Sequence, residues 1–277
     1  MNILLLGSTG FLGSHIKKEL TSKSICNLIT PLRSQLFAKK NNLTYEVESY
    51  LDNSDIVINC IADTNFESCK ASEDNFANLR VPEIINKFCN PNSYKIHFST
   101  DAMYNSGRNL SKETSVSNVT NAYVKQKLIS ETFFSKNSVI LRTSFVGLNP
   151  RNNGMVNYLI NSFSNQSSIK GWSDVYTSSV HVDHICSLVL KLLEEKPIGT
   201  FNFGVNESYT KYSYLSEICK SFKKEGLLEE ISSPLAEDRN KNCGMCSKKI
   251  VKALGIKLPS FEDVVNKSIR DIRLCVK

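Results

Sequence analysis

A tyrosine and a lysine lie four residues apart in the segment NAYVKQKLISE, which runs from Asn121 to Glu131. Residues at this spacing share one face of a helix, so the phenol of Tyr123 and the ammonium of Lys127 are predicted to be neighbours. A phenol with a pKa near ~10 is a poor acid at neutral pH, and a nearby cation lowers that pKa. The pair therefore predicts a proton donor for general acid catalysis.

The chain begins with NILLLGSTGFLG, a segment that fits a nucleotide phosphate site. Its glycines follow an apolar strand pattern and precede a helical one. In such a turn the first glycine allows the sharp bend, and the others let backbone and helix approach a pyrophosphate at the helix N-terminus. A nucleotide fold with a proton donor indicates hydride chemistry on a carbonyl or an alcohol. The predicted cofactor contacts here are Gly7, Thr9, Gly10, Phe11, Leu12 and Gly13.

The predicted end of the second strand lacks the acidic residue with which NAD-binding folds usually hold the ribose hydroxyls. The segment reads Thr30-Pro31-Leu32-Arg33-Ser34. Arg33 and Ser34 suit the 2′-phosphate of NADP, and a solvated arginine on a loop is the alternative. NADPH is therefore the predicted cofactor.

The segment HFSTD, residues 97–101, ends another predicted strand at the carboxyl edge of the sheet, where open α/β sheets bind ligands. A hydroxyl at Thr100 could hydrogen-bond the same substrate oxygen that Tyr123 protonates. The alternative is a simple strand-end cap. We predict Thr100, Tyr123 and Lys127 as catalytic residues and Asp101 as a substrate contact.

Strand and helix patterns alternate through the first half of the chain, which predicts an α/β fold with a Rossmann-type, doubly wound parallel sheet. The predicted strands are Asn2–Leu6, Asn27–Pro31, Asp55–Cys60, Tyr94–Ser99 and Ser138–Arg142. The predicted helices between them are Phe11–Leu20, Asp74–Phe88 and Ala122–Phe134.

After about Leu148 the pattern changes, and the stretch Asn161–Ser168 is polar. One strand, Thr200–Gly204, and four helices are predicted there: His181–Glu194, Tyr212–Phe222, Ser247–Leu254 and Phe261–Arg273. We expect residues 1–148 to form an NADP-binding domain. Residues 149–277 should complete the sheet and form a smaller substrate-binding lobe.

Composition narrows the function classes. The 277 residues carry a net charge of +7 with no basic stripe, so no nucleic-acid partner is predicted. No apolar run reaches the ~18 residues that span a bilayer, so no membrane partner and a cytoplasmic location are expected. Nine cysteines, an odd number, favour reduced thiols over a disulfide framework. Cys243 and Cys246 form a lone CxxC without further ligands, so no metal is predicted.

The chain resembles the extended short-chain dehydrogenases/reductases, and within them the dTDP-4-dehydrorhamnose reductase-like branch. The resemblance covers nearly the whole chain. It is strongest in NILLLGSTGFLG, in STDAMYNSG (Ser99–Gly107), in YVKQK and in VILRTSFVG (Val139–Gly147). It continues in IKGWSDVYTSSVHVDHIC and GTFNFGVNESYTKYSYL.

The resemblance implies that Tyr123 is the general acid, with Lys127 as its partner and a ligand of the nicotinamide ribose, and Thr100 as the third member. It also implies cofactor contacts around Asn59–Ala62, with Cys60, Ile61 and Ala62 as the predicted residues, and from Asn78. Dimers are common among such relatives, so a homodimer is one expected assembly. The family usually reads Tyr-Gly-x-Ser-Lys where this chain has Tyr123-Val124-Lys125-Gln126-Lys127.

Related 4,6-dehydratases read STDEVYG at this strand end, whereas here Ala102 follows Asp101. The missing glutamate argues against dehydration, and Arg33 argues for NADPH that binds, donates hydride and leaves. We therefore predict reduction of a keto group on a nucleotide-linked deoxysugar of the 4-dehydro-6-deoxy type. The resemblance adds a role in surface polysaccharide synthesis.

Two alternatives stay open, an NAD-dependent nucleotide-sugar epimerase and a non-catalytic regulatory subunit that keeps the fold. The predicted substrate contacts in the second half are Trp172, with a packed core aromatic as the alternative, and Arg239, with a solvated face as the alternative.

Overall fold

A computed structural model describes residues 1–36, 45–72, 74–106, 110–234 and 239–276. Gly107, the last residue of the family-like STDAMYNSG segment, lies outside this part of the chain. The described residues form two compact units that alternate along the sequence. The first unit comprises Met1–Thr100, Asn121–Arg142 and Cys186–Phe201, and the second Asp101–Thr120, Thr143–Ile185 and Asn202–Lys277. The predicted boundary at residue 148 separates an NADP-binding domain from a substrate-binding lobe, and this assignment of functions stays a proposal.

The first unit is built on a six-stranded sheet. Its strands are β1 (Asn2–Leu6), β2 (Asn27–Ile29), β3 (Ile56–Asn59), β4 (Tyr94–Thr100), β5 (Ser138–Thr143) and β10 (Gly199–Phe203). Their order in the sheet is β10-β5-β4-β3-β1-β2. β1 pairs in parallel with β2 and β3, and β3 pairs in parallel with β4. Because β1 has β2 on one side and β3 on the other, the topological switch point lies between β1 and β3. The predicted doubly wound sheet is confirmed.

The apolar runs explain why these strands are central. Leu4 and Leu5 of β1 and Ile56 and Ile58 of β3 are fully buried, as expected for parallel strands covered on both faces. Helices flank the sheet: α1 (Phe11–Lys23), α2 (Arg33–Leu36), α3 (Tyr45–Asp52), α4 (Phe66–Ala71), α5 (Val81–Phe88), α6 (Ala122–Thr132) and α8 (Val182–Glu195). Predicted and observed bounds of α1, α6 and α8 agree to within three residues.

The predicted helix Asp74–Phe88 is wrong in its first part. The chain forms a π-helical turn at Phe76–Arg80, and α5 begins only at Val81. Pro82 lies in the first turn of α5 and lacks the N–H that a continuous helix would use, so an α-helix through this point is interrupted. The side chain of Asn75 instead caps the π-helical turn by accepting from Asn78 N. The turn lies next to α6 and sets the surroundings of Asn78.

The second unit contains short strands and longer helices. The strands are β6 (Phe145–Val146), β7 (Ile169–Trp172), β8 (Tyr176–Thr177), β9 (Val180–His181), β11 (Tyr209–Thr210), β12 (Leu228–Ile231) and β13 (Asn242–Cys243). The helices are α7 (Met155–Asn165), α9 (Lys211–Ser221), α10 (Lys248–Leu254) and α11 (Phe261–Cys275). α7 was not predicted, and it includes part of the stretch taken as polar. Its residues Val156, Leu159 and Phe163 are buried.

Candidate active site

The glycine turn after β1 is tightly packed. Gly7 has a φ of 82°, a backbone conformation that favours glycine, and its carbonyl oxygen accepts a hydrogen bond from Gly10 N at 2.9 Å. A Cβ on Gly13 would lie 2.2 Å from the same oxygen. α1 begins at Phe11, and its N-cap residue Gly10 provides no side-chain cap. This geometry fits a dinucleotide pyrophosphate, because a side chain would fill the space that backbone and ligand need.

Gly13→Ala is expected to push the turn out of place, because the new Cβ would meet backbone atoms of Gly7 rather than a flexible side chain. We expect the free energy of unfolding to fall by about 1–3 kcal/mol and dinucleotide binding to weaken. Urea unfolding and fluorescence titration with NADPH measure the two effects. Gly226→Ala is the control, since nothing lies within 4 Å of a Cβ there. Unchanged binding in Gly13→Ala would contradict the assignment.

The loop after β3 packs directly against this turn. A Cβ on Gly7 would lie 3.0 Å from the carbonyl carbon of Cys60 and 3.1 Å from Ile61 Cγ1. Cys60 N donates to Leu6 O at 3.0 Å, which joins the ends of β3 and β1. Cys60 and Ile61 are half-buried and Ala62 is exposed. Cys60 and Ile61 thus lie beside Gly7, and a cofactor contact from Cys60, Ile61 or Ala62 stays a prediction.

Asn78 lies in a different environment from the other predicted cofactor residues. Its side chain is fully buried, and its amide hydrogen-bonds Asp63 N, Asp63 O and Gln126 Oε1 at 2.9–3.0 Å. Gln126 in turn donates to the carbonyls of Cys69 and Ser72. These bonds fasten α6 to α4 and to the π-helical turn. A cofactor contact from Asn78 stays a prediction.

Arg33 and Ser34 begin α2, and both side chains are exposed. They follow β2, whose residues Asn27–Ile29 pair with β1. Their position next to the second strand matches the sequence-based expectation, while the role of Arg33 in binding the 2′-phosphate stays a prediction.

Tyr123 and Lys127 lie one turn apart on α6, as the spacing predicts. Asn121 caps the helix through a 2.9 Å hydrogen bond from Val124 N, so the register of the pair is fixed at its first turn. Tyr123 is half-buried, and its ring lies 5.5 Å from that of Phe66. Lys127 is buried, and its Nζ donates to Phe98 O at 2.8 Å. Thr100, also buried, ends β4 two residues after Phe98.

Burial of Lys127 disfavours its charged form, because the ammonium group loses contact with water. Burial lowers the pKa of Lys127 to about 8, against the opposing effects of Glu131 and Cys69. Glu131 is itself occupied, since it forms an ion pair with Arg142 at 2.6 Å and accepts from Ser99 Oγ at 2.6 Å. Lys127 is therefore expected to be mostly protonated at pH 7 and to lose its proton about one pH unit higher.

In the second unit, the three predicted substrate residues are linked through a lysine that the sequence analysis did not identify. Lys211 Nζ lies 3.9 Å from the centroid of the Trp172 ring, a cation–π contact. Lys211 also interacts electrostatically with Asp101 and Arg239. Lys211 is the first residue of α9, and its partners lie far away in the chain, so no local pattern could have identified it.

Asp101 is buried beside hydroxyl groups. Burial raises the pKa of Asp101 to about 7, against the opposing effects of a hydrogen bond from Thr177 and the charge of Lys211. Thr177 Oγ1 lies 3.4 Å from Asp101 Oδ2 and 2.7 Å from Ser179 Oγ. The unit therefore combines a buried carboxyl group, an indole and two cations, groups that could contact a polar, anionic ligand.

The family of the chain follows from a comparison with family models. The model described as the RmlD substrate binding domain matches residues 1–274. The chain belongs to this family. The RmlD-like proteins are extended short-chain dehydrogenases/reductases, so the resemblance inferred from the sequence motifs is confirmed. No curated protein matches the chain.

Solved structures show how widely this RmlD-like fold occurs. A dTDP-4-dehydrorhamnose reductase from Bacillus anthracis in complex with NADP has a TM-score of 0.84 at 18% identity, covering 97% of this chain and 98% of that one. A dTDP-4-dehydrorhamnose reductase ortholog from Clostridium acetobutylicum has a TM-score of 0.83 at 20% identity, covering 100% of both.

A third similar structure belongs to a protein with another activity. It is a point mutant of the UDP-glucuronic acid 4-epimerase from Bacillus cereus, in complex with a fluorinated UDP-sugar and NAD, with a TM-score of 0.82 at 18% identity. The match covers 99% of this chain and 100% of that one. At these identities the likeness shows the fold, and the reaction must be argued from the residues.

All nine cysteines have free thiols. Within the described residues, no helix is both long and apolar enough to cross a membrane. The same residues contain no group of three or more side chains suited to hold a metal ion.

Proposed function

We propose that this protein is an NADPH-dependent oxidoreductase that reduces a keto group on a nucleotide-linked deoxysugar of the 4-dehydro-6-deoxy type. The observation that carries the proposal is the arrangement of Lys127. It lies one turn after Tyr123 on α6, and its Nζ reaches the carbonyl of Phe98 near the carboxyl end of β4, which terminates in Thr100. Strand and helix thus bring three groups of the required chemistry into one unit.

Each group has a separate task in the proposed reaction. The bound dinucleotide would supply the hydride. Tyr123 would donate its phenolic proton to the carbonyl oxygen as negative charge develops there. Lys127 would favour the phenolate that remains, because it is a cation on the same helix face. Thr100 would donate a hydrogen bond to the same substrate oxygen.

The residues also favour reduction over the related reactions. Ala102 occupies the position where dehydratases of this type carry a glutamate, so one of the two acidic groups needed to remove water is missing. Arg33 provides positive charge beside the second strand, which favours the 2′-phosphate of NADPH. A dissociable NADPH suits net reduction, because oxidised cofactor must leave after each turnover.

An epimerase is the second candidate, favoured by the similarity to the UDP-glucuronic acid 4-epimerase that binds NAD. An epimerase retains and recycles its cofactor, so it would be purified with NAD bound and would not consume NADPH. A regulatory subunit would bind the dinucleotide without turning over any nucleotide sugar. These two activities and reduction are therefore separable by experiment.

Arg33→Ala is expected to weaken NADPH binding by about 10- to 100-fold and to leave NADH binding unchanged, because only NADPH carries the 2′-phosphate. Fluorescence titration of wild type and variant with both cofactors measures this. Lys23→Ala is the control, since it removes an equal charge from the exposed last turn of α1. Equal weakening of both cofactors, or wild-type preference for NADH, would contradict the assignment of Arg33.

The reaction itself is tested by NADPH oxidation with dTDP-4-dehydro-6-deoxy sugars and their UDP counterparts. Oxidation in proportion to the added keto sugar is expected. Interconversion of a UDP-sugar without net NADPH consumption would replace the proposal with an epimerase. Dinucleotide binding without either activity would favour the regulatory subunit.

A further inference from the structure

A chain of hydrogen bonds joins the loop after β3 to the helix that carries Lys127, and a buried histidine lies at its centre. Asn59 Oδ1 accepts from Ile61 N at 3.0 Å, and Asn59 Nδ2 lies 3.2 Å from His97 Nδ1. His97 Nε2 lies 3.0 Å from Ser130 Oγ, and Ser130 Oγ donates to Lys127 O at 2.7 Å. The first member of this chain adjoins the glycine turn, and the last is the backbone of Lys127.

The two backbone groups at the ends of this series of hydrogen bonds determine which atom is the donor in each bond. Ile61 N can only donate, so it identifies the amide oxygen of Asn59 and turns the NH₂ group towards His97. His97 Nδ1 must then be an unprotonated acceptor, and the proton of the neutral ring is on Nε2. The single proton of Ser130 goes to Lys127 O, so Ser130 Oγ can accept from Nε2. All four bonds are therefore satisfied by one tautomer.

β4 holds Lys127 at two points. Ser130, which lies three residues after Lys127, connects its carbonyl to His97, and Lys127 Nζ donates to Phe98 O at 2.8 Å. His97 and Phe98 are consecutive residues. Both the backbone and the side-chain nitrogen of Lys127 are thus held by hydrogen bonds that lead to residues 97–98 of β4.

The surroundings keep His97 neutral. It is 1% exposed, and its ring stacks on Phe134 with centroids 4.3 Å apart. Burial, reinforced by the charge of Lys127, holds the pKa of His97 well below its usual range. Glu131 on the same helix and Cys69 on α4 act electrostatically on Lys127, and Lys127 in turn acts on His97 on β4. A second cation at His97 would oppose the charge on Lys127.

We propose that His97, itself held by Asn59, is a positioning residue that fixes Lys127 through Ser130. This inference rests on the proposed function for the role of Lys127 in catalysis. The positioning itself is a property of the folded chain and can be measured without substrate.

Two substitutions at His97 distinguish its hydrogen bond to Asn59 from its hydrogen bond to Ser130. The Oδ1 atom of asparagine can take the place of Nδ1, so His97→Asn keeps an acceptor for Asn59 and loses the donor to Ser130. The Nε2 atom of glutamine can take the place of the ring Nε2, so His97→Gln keeps the donor to Ser130. Ser130→Ala removes the same connection from the helix side without changing His97.

Thr132→Ala is the matched control on the same helix. Thr132 Oγ1 donates to Ile129 O at 2.7 Å, the same local bond that Ser130 makes, but Thr132 is exposed and lies outside the chain of bonds through His97. A general loss of helix stability would affect both hydroxyl variants, whereas loss of positioning would affect only Ser130→Ala.

The first measurement is the pKa of Lys127 by NMR of ¹³C-labelled lysine side chains, with the resonance assigned by its absence in Lys127→Met. Loosening the helix admits water, so we expect His97→Asn and Ser130→Ala to raise this pKa by about one unit. The double variant should show no further shift, and His97→Gln and Thr132→Ala should match wild type. If both His97→Asn and Ser130→Ala titrate as wild type does, the inference is overturned.

The second measurement is turnover with NADPH and a 4-keto nucleotide sugar. His97→Asn and Ser130→Ala should lower kcat by about 10- to 100-fold with little change in the Kd of NADPH, because a misplaced group slows the chemical step. Turnover equal to wild type in both variants would overturn the positioning role. If wild type turns over no sugar, the proposed function fails, and the NMR titration still decides the inference.

Discussion

Tyr123→Phe is expected to lower kcat for keto-sugar reduction by about 10²- to 10⁴-fold, the usual contribution of a positioned general acid. The substitution removes only the phenolic hydroxyl. The ring stays in place 5.5 Å from Phe66, and α6 keeps its Asn121 cap. Stability and NADPH binding should therefore change little. Steady-state kinetics and NADPH titration on the same preparation separate lost proton transfer from lost cofactor.

Tyr158→Phe is the control for removing a phenol. Tyr158 lies on α7, and its hydroxyl donates a long, 3.4 Å hydrogen bond to Ser168 O and accepts from Lys170 N. It should retain wild-type turnover. Substantial activity in Tyr123→Phe would mean that another group donates the proton, and the assignment of Tyr123 would then be wrong.

Lys127→Met is expected to lower kcat by about 10²- to 10³-fold while making the protein more stable near neutral pH. The loss of activity follows from removing the cation that favours the phenolate. The gain in stability follows from burial, because an ammonium with 2% exposure must be desolvated on folding and a thioether need not be. Kinetics and urea unfolding on wild type and variant measure both effects.

The stability difference has a definite pH dependence. The pKa of Lys127 is lowered from 10.5 to about 8 in the folded chain, so between these values the unfolded chain binds more protons. Wild-type stability from this group therefore rises with pH across the window, and below about pH 8 the cost of burying the charge is fully present. The advantage of Lys127→Met is at most about 3 kcal/mol at pH 7, less about 1 kcal/mol for the lost hydrogen bond.

The advantage should shrink as pH rises through this window. Lys125→Met, which changes an exposed lysine on the same helix, is the control and should show no such trend. Titrating groups that do not interact with Lys127 contribute equally to variant and wild type, so their effects cancel in the difference. A stability difference that is constant from pH 7 to 10 would show that Lys127 does not titrate as a buried cation.

Features set by local spacing were predicted well. The β1 strand and its glycines are read directly from an apolar run followed by Gly7, Gly10 and Gly13. The facing of Tyr123 and Lys127 follows from the period of an α-helix. The parallel sheet follows from continuous apolar segments that alternate with helical patterns, since strands buried on both faces need apolar side chains on both.

Features that depend on tertiary context were missed. The segment from Asp74 to Phe88 contains Pro82, a local signal for a break, but only the tertiary structure shows the π-helical turn, whose Asn78 is held by Asp63 and by Gln126. α7 was overlooked because its second half falls within the polar stretch Asn161–Ser168. Only its packing shows that Val156, Leu159 and Phe163 form one buried face.

The sequence by itself determined the strands of the sheet, the glycine turn and the placement of Tyr123 and Lys127 one turn apart on α6, because each depends on neighbours within a few residues. The tertiary structure alone decided that Lys127 is buried against β4, that His97 is linked to it, and that Lys211 meets Trp172. The partners in these contacts come from separate strands and helices. Burial and pKa depend on which distant groups the fold brings together, and no local spacing encodes them.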